Sequence, residues 1–295
     1  MELFISLTIN GLMMGTIYAI IAMGLVLLIR AVGIMNFAQG DLLAIGAFVG
    51  YTLFVSMGLP LWIAIIASFA SYAVFALIFM FCVYYPQRNK TNQIPVVIAT
   101  IGASTVIREG LSIIYGTDPK PMPYFITDEM GRGVMISILG VNVQLQYIIT
   151  IVVGIFVILI VTLFIDKLYI GKMIQATSQS RYTAALLGVP TTVTIALTYI
   201  LSCSIASFSG FLVAPMFSVK TSLSSFQFAA FSGAVIGGWG STKGAIIGAM
   251  LVGLIQAYAT PAFSVYKDAV VFGLFLLFLL FKPQGLFPSK IGEKA

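Results

Sequence analysis

The chain has 295 residues, 60% of them hydrophobic and 8% charged, with 15 Lys and Arg against 9 Asp and Glu for a net charge of +6. Soluble domains carry roughly 25% charged residues, so an ordinary soluble domain is excluded and an all-α integral membrane protein is expected; the basic surplus reads as loop bias and headgroup attraction rather than nucleic-acid binding. His is absent and only two Cys occur, which leaves zinc, haem and imidazole proton relays without ligands, so no cofactor, no metal and no fixed catalytic centre is expected.

The first apolar run, Leu3 to Ile29, is uncharged and exceeds the roughly 20 residues that cross a bilayer, so it reads as a span. No basic stretch precedes it, which argues against a cleaved leader. A polar interruption follows, Asn36-Phe37-Ala38-Gln39-Gly40-Asp41. A carboxylate beside a span is costly unless it faces protein, water or headgroups, which marks Asp41 as a functional candidate. An interfacial turn with Asp41 complementing the next helix dipole accounts for the same residues equally well.

Further apolar runs fall at Gly33 to Met57, Leu61 to Tyr84, Ile94 to Tyr115, Leu145 to Ile165, Thr191 to Phe217, Phe226 to Trp239, Ala245 to Ala259 and Ala269 to Phe281. The runs ending at Trp239 and starting at Ala245 are short and read as half-spans or re-entrant pieces. Roughly eight crossings are expected. Cys82 and Cys203 fall inside apolar runs and read as packing residues.

Arg30, Arg88, Lys90, Lys167, Lys172, Arg181, Lys282, Lys290 and Lys294 fall in loops that can share one side. That side is expected to be cytoplasmic, with the C-terminus inside. The loop 116–143 mixes acidic and basic residues with prolines and is placed outside, as is the N-terminus with its lone Glu2. Glycines recur at four-residue spacing at Gly11 and Gly15, Gly46 and Gly50, Gly233 and Gly237, and Gly240, Gly244 and Gly248, a pattern that lets helices pack closely in lipid. The tract 166–190 is polar and too short to span. Met173, Ala176, Ala184 and Leu187 supply an apolar face and Lys172, Gln175, Gln179 and Arg181 a polar one, with Gly188 and Pro190 as a stop. A helix or helix pair lying on headgroups, or docking a soluble partner, is expected there.

The stretches Gly11 to Gly24 (GLMMGTIYAIIAMG), Gly33 to Asp41 (GIMNFAQGD), Ala184 to Gly188 (AALLG), Gly237 to Gly248 (GGWGSTKGAIIG), Tyr266 to Asp268, and Lys282 to Phe287 (KPQGLF) occur in this order over nearly the whole chain. In them the chain resembles the permeases of branched-chain amino acid ABC importers, and of the two such permeases the shorter, LivH type. The resemblance implies one transmembrane permease domain over 1–295 in a bacterial or archaeal cytoplasmic membrane. It also implies a second related permease chain, two cytoplasmic ATPase subunits and an external substrate-binding protein. The chain has no G-x-x-x-x-G-K-[ST] motif, since Gly171-Lys172 is followed by Met173 and preceded at the required spacing by Asp166. ATP hydrolysis is therefore expected in other subunits, with the chain itself no enzyme.

By the same resemblance, Lys172, Gln175, Gln179, Arg181, Ala184, Leu187 and Gly188 belong to the element that couples to the ATPase. Asn36, Gln39, Asp41, Ser104 and Thr105 are the polar groups nominated for a path opened by alternating access. Gly11, Gly15, Gly46, Gly50, Gly240, Gly244 and Gly248 are nominated for helix packing. Two departures stand out. Relatives commonly carry His where this chain has Gln39, which keeps hydrogen bonding and excludes imidazole protonation. Arg108-Glu109 replaces neutral residues; neighbours on a helix point about 100° apart, so the two either pair with other helices or, as expected here, lie near the external interface. Urea and short-amide permeases share the resemblance, and a facilitative channel or an embedded enzyme using Asp41 and Glu109 remain rival readings.

Overall fold

The structure, a computed structural model, describes residues 2–33, 35–88, 94–138, 140–262 and 266–287. Lys90, Lys290, Lys294 and the side chain of Asp268 lie outside the described residues. The helices are α1 (Glu2–Val32), α2 (Gln39–Tyr51), α3 (Leu61–Phe79), α4 (Ile94–Tyr115), α5 (Leu145–Lys167), α6 (Tyr169–Gln179), α7 (Arg181–Leu186), α8 (Thr191–Phe217), α9 (Phe226–Gly237), α10 (Thr242–Ala259) and α11 (Lys267–Phe281). Single π-helical turns extend α2 through Ser56 and α3 through Tyr84. Seven described helices are long and apolar enough to cross a bilayer, and α11 is a shorter apolar helix. The 12-residue α9 is the half-length piece expected between Phe226 and Trp239, whereas α10 is among the seven. A small antiparallel hairpin, β1 (Met135–Ile138) with β2 (Val141–Gln144), was not foreseen in the loop before α5.

Burial separates the helices into centre and rim. From Ile17 to Leu28 every residue of α1 is buried, as is every residue of α8 from Ser202 to Pro215. Helices apolar all round are stable only inside a bundle or in lipid, and here α1 lies against α5, α8, α9 and α10 while α8 lies against α1, α2 and α3. By contrast α3, α4 and α5 show large apolar side chains on the outside, among them Ile66, Val106 and Phe156. In lipid such residues meet a solvent as apolar as themselves, so shape and not hydrophobicity brings helices together.

Small residues supply that shape. A Cβ on Gly15 would stand 2.9 Å from the Met250 Cα, and Gly11 and Gly253 share this seam between α1 and α10. Gly46 and Gly50 meet Ser207 and Phe211 of α8, and Gly244 and Gly248 meet Gly237 and Gly233 of α9. Gly240 needs correction: it lies in the turn before α10 with φ +77° and so does not belong to that helical row. Cys203 is buried as expected, but Cys82 is exposed in the π-helical turn after α3 and packs against no core.

Hydrogen bonds hold two of the basic residues at one end of the bundle. Arg30, in the last turn of α1, donates to the Thr242 hydroxyl at the start of α10 at 3.1 Å. Arg181 donates to the Val32 carbonyl at 2.7 Å, closing the C-terminus of α1. At the opposite end, Lys120 and Val219 exchange backbone hydrogen bonds and fold the long loop onto the exit of α8.

Candidate functional site: a charge pair where two helices break

α1 ends on Gly33 with φ +76°, whose N–H reaches back to the Ile29 carbonyl at 2.8 Å, the left-handed helix stop that glycine adopts without a Cβ penalty. The chain does not then run along the membrane surface. Gln39 Nε2 donates to the Ser202 hydroxyl at 3.2 Å, and that hydroxyl donates to the Gly24 carbonyl at 2.7 Å. Gly24 lies eight residues inside the end of α1, so at roughly 1.5 Å per residue the chain has climbed back about 12 Å into the bundle before α2 begins. The polar interruption is therefore a break inside the bundle, level with Gly24, rather than a turn at its end.

Irregular backbone at that depth survives only where protein satisfies it, and side chains do so here. Asn36 Oδ1 accepts from the Ala38 N–H at 3.0 Å, and the Thr100 hydroxyl of α4 accepts from the Phe37 N–H at 3.2 Å. The Gly40 N–H donates to Gln227 Oε1 at 2.5 Å. Gln227 opens α9, just after the short 3₁₀ turn Thr221–Ser225. A second helix break thus meets the first, and Gly40 is held so closely against the Ser224 carbonyl that no Cβ fits between them.

Asp41 sits at this junction and is 1% exposed. Its Oδ2 accepts from the Ser104 hydroxyl. Its Oδ1 accepts from Nε and Nη2 of Arg108, each at 3.3 Å. Of the two expectations for Arg108, the less favoured one, a partner on another helix, is what the structure shows: the helical turn from Ser104 to Arg108 presents a hydroxyl and a guanidinium to one carboxylate. The Arg108 side chain is 49% open on the outer face of α4, where Thr105 and Glu109 are exposed too. Such a face is expensive to leave against hydrocarbon.

The five nominated path residues divide accordingly. Asp41 and Ser104 come together with Arg108. Asn36 and Gln39 are buried and spend their polar atoms on the break, Asn36 Nδ2 donating to Gln39 Oε1 at 3.3 Å. Thr105 lies on the outer face with its hydroxyl on the Ile101 carbonyl at 3.3 Å. Gln227, Ser202 and Thr100 were missed; their one sequence signal is that each is a polar residue inside an apolar run.

At the basic end, α6 and α7 are the expected helix pair. The buried face of α6 is Gly171, Ile174 and Thr177, not the Met173 and Ala176 face read from spacing, because Gly171 tucks beneath the Phe164 and Ile165 carbonyls at the end of α5. Gln175 faces inward and donates to the Ile165 carbonyl at 2.9 Å, Ala184 is buried, and Lys172, Gln179, Leu187 and Gly188 are exposed. Leu187 therefore leaves the predicted apolar face, and with Tyr182 and Leu186, each at least 70% exposed, it forms an apolar tip that sequence did not reveal. Ser180 caps α7 by accepting from the Thr183 N–H at 3.2 Å. Losing such a cap costs about 1 kcal/mol, so Ser180→Ala should loosen α7 and raise protease cleavage at Tyr182 without lowering the amount of folded protein.

Residues 7–279 match the family model described as branched-chain amino acid transport system / permease component. The high-affinity branched-chain amino acid transport system permease protein BraD of Pseudomonas aeruginosa is 31% identical, over 97% of this chain and 96% of its own length. The counterparts named LivH in Escherichia coli K12 and Salmonella typhimurium are 30% and 29% identical, each over 99% of this chain and 97% of their own.

Proposed function

We propose, given that this chain belongs to the family of permease components of branched-chain amino acid transport systems, that it forms one wall of a membrane path for leucine, isoleucine and valine. The observation that carries the path is the outer face of α4. Arg108, Thr105 and Glu109 open there over the buried Asp41. Hydrocarbon does not solvate such groups, whereas a second permease chain would, with the path between the two chains. Helix breaks at membrane depth are where transporters place polar substrates, and the Asp41 and Arg108 pair offers both signs of charge to a zwitterion.

ATP-driven movement enters at the other end. The basic end of the bundle lies in the cytoplasm by the positive-inside rule, and the tip of Tyr182, Leu186 and Leu187 docks in an ATPase subunit while α6 and Arg181 tie it to α5 and α1. A binding protein delivers the amino acid on the opposite side.

The test is uptake of labelled leucine, isoleucine, valine and urea by cells in which this gene is deleted and then restored as parent or as Leu186→Glu. Restoration of aliphatic amino acid uptake by the parent is expected, with at least a tenfold deficit for Leu186→Glu at equal membrane abundance. Urea uptake that follows the gene instead would overturn the substrate. Full activity of Leu186→Glu would overturn the docking tip.

A further inference from the structure

A cavity of about 220 Å³ opens at the basic end of the bundle, between the end of α3 and the start of α8. It is far larger than the roughly 10–15 Å³ that a single water needs. Its lining includes Tyr84, Arg88, Arg181, Thr191 and Thr192, and among the described residues it contains no carboxylate. Two guanidiniums without an acidic partner among the described residues already select for an anion.

Two independent features sharpen the ligand. Tyr84 is 2% exposed, and among the described residues its hydroxyl meets no partner at hydrogen-bond geometry, while the Arg181 guanidinium lies beside it, 5.7 Å from its ring centre. A buried hydroxyl left unsatisfied is costly, and a ligand oxygen in the cavity would relieve it. The 27-residue α8 begins at Thr191, and its N-cap position is Pro190, which supplies no side-chain cap. The first amides of a long helix favour negative charge and receive phosphate oxygens readily.

Position decides the source of the anion. The cavity sits where the spans 61–87 and 191–217 end, the depth of lipid headgroups. Ile78, Phe81 and Val193 are exposed beside it, as lipid-facing residues are. Arg88 stacks on Tyr85 with its guanidinium carbon 3.7 Å from the ring centre, an aromatic and basic pairing typical of the interface. We propose that this cavity binds the phosphate of an anionic phospholipid, held by Arg88, Arg181, the Tyr84 hydroxyl and the N-terminus of α8. Basic pockets between spans take anionic headgroups in this way. Arg181 also closes α1 and begins α7, so a bound headgroup would brace the joint between the bundle and the α6 and α7 pair.

The experiment uses the full chain, purified in neutral detergent and titrated with phosphatidylglycerol or phosphatidylcholine while the bound fraction is read by native mass spectrometry. Phosphatidylglycerol is expected to be retained at least tenfold better than phosphatidylcholine. Arg88→Gln and Tyr84→Phe should each weaken that retention about fivefold, the loss of one interfacial cation or buried donor. Tyr84→Phe keeps the packed ring, and matching melting temperatures would exclude a folding defect. Arg132→Gln, at the other end of the bundle, should bind as the parent does. Equal retention of the two lipids, or parent-like retention by both cavity variants, would overturn the site. Displacement by millimolar inorganic phosphate would identify a soluble anion as the occupant and overturn the lipid.

Discussion

Arg108→Leu should destabilise the protein by about 3 kcal/mol, in the range for leaving a buried charge without its partner. The reason lies with the residue left behind. Asp41 is 1% exposed, so without Arg108 its carboxylate is left with the Ser104 and Ser224 hydroxyls and loses the cation paired with it. Removing both charges is a different experiment: an isosteric amide needs no counter-charge, so Asp41→Asn with Arg108→Leu should recover most of the lost stability. Thermal unfolding of the purified variants reads the cycle. A double variant no more stable than Arg108→Leu would show that the pair is not the coupled unit described here. Transport should separate from stability, because the double variant lacks both charges at the proposed path and is expected to remain at least tenfold impaired in leucine uptake even where its melting temperature returns.

The pairing itself could not be read from the chain. Asp41 announces itself as a carboxylate between apolar runs, and Arg108 as a charge inside one, but 67 residues separate them. Nothing in local periodicity says that the segment after α1 climbs back to the level of Gly24. That climb decides everything about Asp41: at the end of the bundle it would be a helix cap, and inside the bundle it requires a cation. The long helices α1 and α8 were legible because uninterrupted apolar runs in lipid have few alternatives to a helix. The half-length α9 was legible as a short run, though not its meeting with the first break, since that depends on one Gln side chain reaching a backbone amide. The α6 and α7 pair was legible from composition, while its buried face was misread because Gly171 fits beneath two carbonyls of α5 and turns the helix by more than the apolar residues alone would choose. Gly240 shows the same limit: four-residue spacing identifies a helical row only if all its members are on the helix.

Gly46→Val should abolish accumulation of folded protein. A Cβ at Gly46 would fall inside the Ser207 carbonyl, and across the same seam a Cβ at Gly210 would fall inside the Leu43 carbonyl. The two glycines are reciprocal, each admitting the backbone of the other helix, and the Ser207 hydroxyl donates to the Leu42 carbonyl at 2.9 Å within the seam. Backbone cannot step aside as the end of a side chain can, so α2 and α8 would have to separate. Separation would break the Gln39 to Ser202 contact and with it the placement of Asp41. The expected loss exceeds the 1–3 kcal/mol typical of overpacking a core, a large share of the 5–15 kcal/mol that holds a folded protein. Gly273→Ala is the matched control, because none of the described residues lies within 4 Å of a Cβ there. It should accumulate and melt as the parent does. Fluorescence-detected gel filtration of both variants separates the cases: a monodisperse Gly46→Val peak at parental height would mean that α2 and α8 tolerate separation, and the depth of the Asp41 junction would then not depend on their contact.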